Sequence, residues 1–170
     1  ELPNGRLVSR SLDNRIGAYV VLEALRLLRG AGTRAATVTA VATTREEIAL
    51  GGGGARTSAT DIAPHAALVV DVTHATDYPA LDKRRHGDCR LGGGPVIARG
   101  ASVSNVMFER LVEAAEAEKI PYMIQAAARD THTDAEAIFN AHRGVATGLV
   151  SLGCGLWLLW SGRKRALTDT

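Results

Sequence analysis

The stretch Ala67-Leu68-Val69-Val70-Asp71-Val72-Thr73 is an apolar run with one carboxylate near its end. Apolar continuity over this length, bounded by turn residues, reads as a strand buried on both faces. Such strands belong to parallel sheets covered by helices. Upstream, residues 37–43 alternate β-branched and small side chains and read as another strand. Before them, residues 14–29 read as a helix, because Ile16, Val20, Ala24, Leu27 and Leu28 recur on one face. Asp13 takes its N-cap position and Gly30 ends it. Residues 6–10 read as a short strand, and a short helix around 55–60 follows the glycine run 51–54.

Downstream, residues 78–99 are irregular and rich in Gly, Asp and Arg. Residues 104–119 form an amphipathic pattern, with Met107, Phe108, Leu111, Val112 and Ala115 on one face. Pro121 follows, and 122–127 read as a strand. Thr133-Asp134-Ala135-Glu136 is a capping box that opens a helix to about His142, closed by Gly144. Residues 145–152 read as a last strand. Helices alternating with strands predict an α/β fold: three α/β/α layers around a mainly parallel, mixed sheet.

Composition narrows the function classes. At 170 residues and 46% hydrophobic, the chain has the length and apolar content of one domain. Twenty basic residues nearly balance 18 acidic ones, so no face is basic enough for a nucleic acid or an acidic membrane. Arg163-Lys164-Arg165 reads as a solvated end. The two cysteines, Cys89 and Cys154, lie far apart without a CxxC spacing. That argues against a disulfide framework and a thiolate zinc site, and for a reducing cytoplasm. No signal-peptide pattern is visible, and the apolar run 156–160 is too short to span a bilayer. The segment Gly-Cys-Gly-Leu-Trp-Leu-Leu-Trp at 153–160 suits neither an exposed loop nor a parallel strand. The expected organisation is therefore a partial catalytic domain at 1–152 and a divergent tail at 153–170, foreign to the fold.

Acidic residues gather where the predicted strands end. Asp13 follows the first, Glu46 and Glu47 the second, and Asp71 ends the third. Sites in parallel α/β sheets form beyond the carboxyl ends of strands. Taken singly, Asp13 also suits a helix cap and the two Glu residues a solvated loop. Asp71, ending a buried strand, needs a partner. Together they suggest a divalent cation held by oxygen ligands. The glycine run lacks the Lys-Ser/Thr of a phosphate loop, which excludes nucleotide binding there.

Six segments resemble, in order, those of the tetrahedral and glutamyl aminopeptidase family of co-catalytic di-zinc exopeptidases. They are Ser11-Leu12-Asp13-Asn14-Arg15-Ile16-Gly17, Thr44-Arg45-Glu46-Glu47-Ile48, Val70-Asp71-Val72-Thr73, Leu91-Gly92-Gly93-Gly94-Pro95-Val96-Ile97, Ile120-Pro121-Tyr122 and Thr133-Asp134-Ala135. The resemblance implies the C-terminal part of a zinc-exopeptidase-like catalytic domain, lacking the N-terminal strands and an inserted β domain. It implies two divalent ions, zinc or cobalt. Asp13 would bridge them, Glu47 and Asp71 would bind one each, and Glu46 would be the general base. Such a pair lowers the pKa of a bridging water and clamps the tetrahedral intermediate. Asp134 would help shape the pocket for the substrate's free amine, although it also suits a first helical turn.

The pattern departs from the family at both histidine ligands. One lies upstream of the inserted domain. The other would follow the strand ending at Leu152, where this chain has Gly153-Cys154-Gly155-Leu156. Each ion would then keep two protein ligands, where a catalytic zinc usually has about three plus water. His132, standing where the family has glycine, and His74, three residues past Asp71, are the nearest substitutes. The expectation is an aminopeptidase releasing N-terminal residues from peptides, here an incomplete and inactive piece. The alternatives are a non-catalytic binding or assembly module and a related di-metal amidohydrolase. The family's homo-oligomers form largely through the inserted domain, so monomers or non-specific association are expected for this chain.

Overall fold

The computed structural model describes residues 3–31, 36–48, 52–79 and 81–154. The chain forms two compact units, Glu1–Ala42 and Thr43–Thr170.

The first unit is dominated by helix α1 (Leu12–Gly30). Its start differs from the expected Asp13 cap. Ser11, Asp13 and Asn14 all have non-helical dihedrals, and regular helix begins only after Asn14. The Asn14 side-chain oxygen accepts from the Gly17 N–H at 2.9 Å, the bond an N-cap makes. A Cβ at Gly17 would run into this same amide, which explains a glycine three residues after Asn14. Toward the far end, Leu27 and Leu28 of the predicted apolar face are exposed.

The predicted strands at 6–10 and 37–43 are not formed among the described residues. Arg6 makes an isolated bridge, and 37–43 join no ladder. Alternation creates a strand only where a neighbour takes up its backbone groups and side chains. Here Val38 and Val41 remain 54% and 37% exposed.

The second unit carries helix α2 (Gly53–Ile62), strand β1 (Ala66–His74), the single helical turn α3 (Lys83–His86), β2 (Pro95–Gly100), α4 (Asn105–Ala117), β3 (Met123–Ala127), α5 (Asp134–Phe139) and β4 (Ala146–Cys154). The sheet order is β1-β4-β2-β3. β1 lies parallel to β4, β2 parallel to β3, and the two pairs meet where β4 runs antiparallel to β2. The region read as irregular, 78–99, therefore contains α3 and most of β2. Pro95 is tolerated because it is the first residue of its strand.

β1 is an edge strand, so its apolar run is not buried on both faces as expected. Val69 is buried while Leu68 is 49% exposed. Helices nevertheless cover both sides of the sheet. Gly148 of β4 leaves room for Met107 and Leu111 of α4, with Leu68 beside them. The next residue, Leu149, packs with Val69, Ala98 and Ala135, the last from α5, with Ile138 against them. Successive strand residues face opposite ways, so α4 and α5 lie on opposite faces and the predicted three layers are present. α5 is shorter than predicted, ending at Phe139 with Asn140 as its cap.

β4 runs two residues past the expected strand end, with Gly153 and Cys154 in register opposite Thr73 and His74. The remaining tail, 155–170, lies outside the described residues. Among the described residues, no helix is long and apolar enough to cross a membrane.

Candidate functional site

Arg45 turns the chain with φ +63, and Glu46–Ile48 then form one tight 3-10 turn. In an extended strand, two adjacent Glu side chains would point apart. The turn brings both to one open cleft of about 500 Å³, lined also by Gly52, Arg56, His132, Asp134 and Glu136. The glycine run serves close approach here. Gly52 has φ +93, and a Cβ on it would collide with Ala137 of α5. This packs the start of α2 directly against α5, while the Gly54 N–H donates to the Thr44 carbonyl at 2.8 Å.

Asp134 opens α5 and is 9% exposed. Thr133 caps the helix through its hydroxyl, which accepts from the Ala135 N–H at 3.1 Å. Asp134 accepts from the Thr43 hydroxyl at 2.6 Å. Burial pushes its carboxyl above the ordinary value, and the Thr43 hydroxyl only partly offsets this. His132 holds φ +55, a left-handed conformation that glycine adopts freely. That accounts for glycine in the resembling segment.

Asp71 is buried at 7% exposure, in register opposite Ser151 of β4, and accepts from the Val72 N–H at 2.8 Å. It does not line the Glu46–Glu47 cleft. Asp13, half-buried at the distorted start of α1, belongs to the first unit. The structure thus brings together Glu46, Glu47 and Asp134, three of the five predicted site residues. His132 joins them and His74 does not. Among the described residues, no three His, Cys, Asp or Glu side chains are grouped to hold one ion. Within the second unit, Glu47 lines the cleft and Asp71 does not, so this cleft by itself does not present the three or so protein ligands a catalytic zinc usually has.

Four further polar residues of the cleft wall, Arg56, Thr133, Glu136 and Asn140, were not singled out as site residues from sequence. Glu136 was visible as the last member of the capping box. Arg56 and Asn140 carry no sequence signal of their own, because only the packing of α2 against α5 puts them on one cleft.

Residues 1–156 match the family model of the M42 glutamyl aminopeptidases. The chain belongs to the M42 glutamyl aminopeptidase family. This is the group its six segments resemble, and its members are metal-dependent aminopeptidases. The chain is 33% identical over 151 residues to a lysyl aminopeptidase of Pyrococcus furiosus, covering 89% of this chain and 41% of that protein. A solved M42 relative, an aminopeptidase from the archaeon Desulfurococcus kamchatkensis, is 36% identical with a TM-score of 0.72, over 89% of this chain and 42% of the other. The PhTET1-12s structure, a dodecamer, is 25% identical with a TM-score of 0.64, over 89% and 43%. The chain therefore spans less than half the length of the M42 proteins it matches.

Proposed function

We propose that this chain is the base-bearing part of an aminopeptidase that releases N-terminal amino acids from peptides, and that the 170 residues by themselves do not turn over substrate. The observation that carries the first half is the cleft where Glu46, Glu47 and Asp134 meet in a chain of the M42 family. A carboxylate facing such a cleft can take a proton from water and return it to a leaving amine, and we assign that role to Glu46. Asp134, buried beside it, shapes the end that receives the free amine. Asp13, Glu47 and Asp71 are assigned as metal ligands in an assembly that also supplies the histidines. The second half rests on the donor set as the sequence gives it, with Gly153-Cys154-Gly155-Leu156 standing where the family has a histidine ligand.

Dialysis of the chain against excess zinc or cobalt, followed by metal analysis and an aminoacyl-anilide assay, tests both halves. The expected result is metal well below one ion per chain and no anilide cleavage. Retention of about two ions per chain, as two-metal sites hold, would defeat the claim of inertness. In a longer parent carrying the missing ligands, Glu46→Gln should cost at least about a hundredfold in kcat, the usual scale of general-base removal. An unchanged kcat there would remove Glu46 from the mechanism.

The same donor set favours a second reading, a non-catalytic binding or assembly module with this fold. A di-metal amidohydrolase is separated from an aminopeptidase by assaying N-acyl amino acids alongside the anilides. A cytoplasmic location fits the sparse cysteines. The dodecameric relative points to assembly of the complete protein, while monomers or non-specific association are proposed for this chain. Size-exclusion chromatography showing a discrete dodecamer would reverse that assignment.

A further inference from the structure

Glu136 lies two residues past Asp134, inside α5. In a capping box the acidic residue needs to reach only the N-cap amide. Glu136 does more. One carboxylate oxygen accepts from the Thr131 N–H at 2.6 Å and from the Ser102 hydroxyl at 2.7 Å. The other accepts from the Thr133 N–H at 3.5 Å. Burial pushes this carboxyl up, but the hydrogen bonds from Thr131 and Ser102 together outweigh it and hold the group below its ordinary value. The anion is thus the hub of a small network, extended by the Thr131 and Thr133 hydroxyls, which meet at 2.8 Å. Ser102 stands in the connection between β2 and α4, so the network ties the loop before α5 to that connection.

That loop is strained at its centre. His132 takes a left-handed backbone at φ +55, a conformation costly to a side chain with a Cβ and kept only where surroundings enforce it. Its two neighbours, Thr131 and Thr133, are the residues whose amides Glu136 holds. The same carboxylate therefore fixes the backbone on both sides of the strained residue. His132, Thr133 and Asp134 are consecutive residues in the wall of the cleft that Glu46 and Glu47 also line.

We propose that Glu136 is the positioning residue of this cleft, acting through the Thr131 and Thr133 amides and the Ser102 hydroxyl to hold His132 and Asp134 against Glu46 and Glu47. Its value to function rests on the reading of the cleft as the substrate site. Its geometry can be measured without turnover, so the two readings fail separately.

The test is Glu136→Ala in the 170-residue chain, with Glu136→Gln as the conservative variant, followed by amide exchange and by carbon-detected titration of Asp134. Far-UV circular dichroism confirms folding. In Glu136→Ala, exchange protection at Thr131 and Thr133 should fall about tenfold to a hundredfold, the scale of losing a charged hydrogen-bond acceptor. The Asp134 titration should move down toward the ordinary aspartate range as water reaches its carboxyl. Glu136→Gln, which keeps one acceptor oxygen, should restore part of both effects. A folded Glu136→Ala chain with unchanged exchange at Thr131 and an unchanged Asp134 titration would overturn the proposal. Should Glu136→Ala not fold, Ser102→Ala decides: the same directions at smaller size support it, and no change overturns it.

Discussion

Two helices in this molecule begin with an aspartate that the sequence ties to chemistry, and they begin differently. At α5 the cap is complete. The Thr133 hydroxyl accepts an amide of the first turn, and Glu136 reaches back to the Thr133 amide. At α1 the helix is interrupted at its start, where Asp13 and Asn14 are non-helical; Ser11 makes no side-chain cap, and Asn14 takes over by accepting from Gly17. Every helix start leaves unsatisfied amides that some acceptor must take. The comparison shows which acceptor is spent on that task. In neither helix is it the aspartate of interest: Asn14 takes the amide at α1 and Thr133 at α5, where the Asp134 carboxylate accepts from the Thr43 hydroxyl instead.

Breaking the start of α1 should have the largest effect. Gly17→Val pushes side-chain atoms into the Asn14 amide and should cost roughly 2–3 kcal/mol, the upper range for overpacking, read by urea unfolding. Next come the caps themselves. Asn14→Ala and Thr133→Ala should each cost about 1 kcal/mol, while Ser11→Ala stays within about 0.5 kcal/mol. Equal losses at Ser11 and Asn14 would erase the distinction drawn between the two helices. His132→Gly relieves the left-handed backbone and should gain about 0.5–1 kcal/mol; a loss would mean the imidazole makes a contact worth more than the strain.

The smallest effect is a slope. Asp134 has its carboxyl raised on folding. The native state therefore holds a proton that the unfolded chain releases, and stability falls as pH rises through the window above the ordinary aspartate value of 3.8. Asp134→Asn should flatten that part of the profile. Asp88 acts in the opposite sense. Hydrogen bonds from Arg90 and Lys83 lower it from 3.8 to about 2, so its contribution is present above this window and is lost as pH falls through it. Unfolding midpoints measured every half pH unit, for Asp134→Asn beside the parent chain, separate the two.

Much of this fold was legible because its signals are local. The amphipathic pattern of α4 and the capping box of α5 are both contained in a few neighbouring residues; α4 forms where it was read, and α5 starts where it was read but stops early, at Phe139. The apolar run of β1 was legible as a strand, but its place at the sheet's edge was not, since lateral order is set by partners far along the chain. For the same reason residues 37–43, strand-like in composition, join no ladder among the described residues. β2 was missed because Gly92, Gly93, Gly94 and Pro95 mask the short apolar segment behind them. In the site, Glu46 and Glu47 were legible from their adjacency after a strand-like stretch. Their meeting with Asp134, and the presence of Arg56, depend on a glycine allowing α2 to touch α5.

The seam of the sheet has a mechanical consequence. β1 and β4 are laced along nine residue pairs and β2 and β3 along five, but β2 and β4 along only three, Pro95–Leu152, Val96–Ser151 and Ile97–Val150. Those few rungs include two of the driest side chains, Val96 and Ile97 being 0% and 2% exposed. The two halves of the sheet are therefore joined by packing more than by backbone lacing. Pulled apart along that line, the protein would yield as a sudden rupture of buried surface, with little gradual unzipping before it.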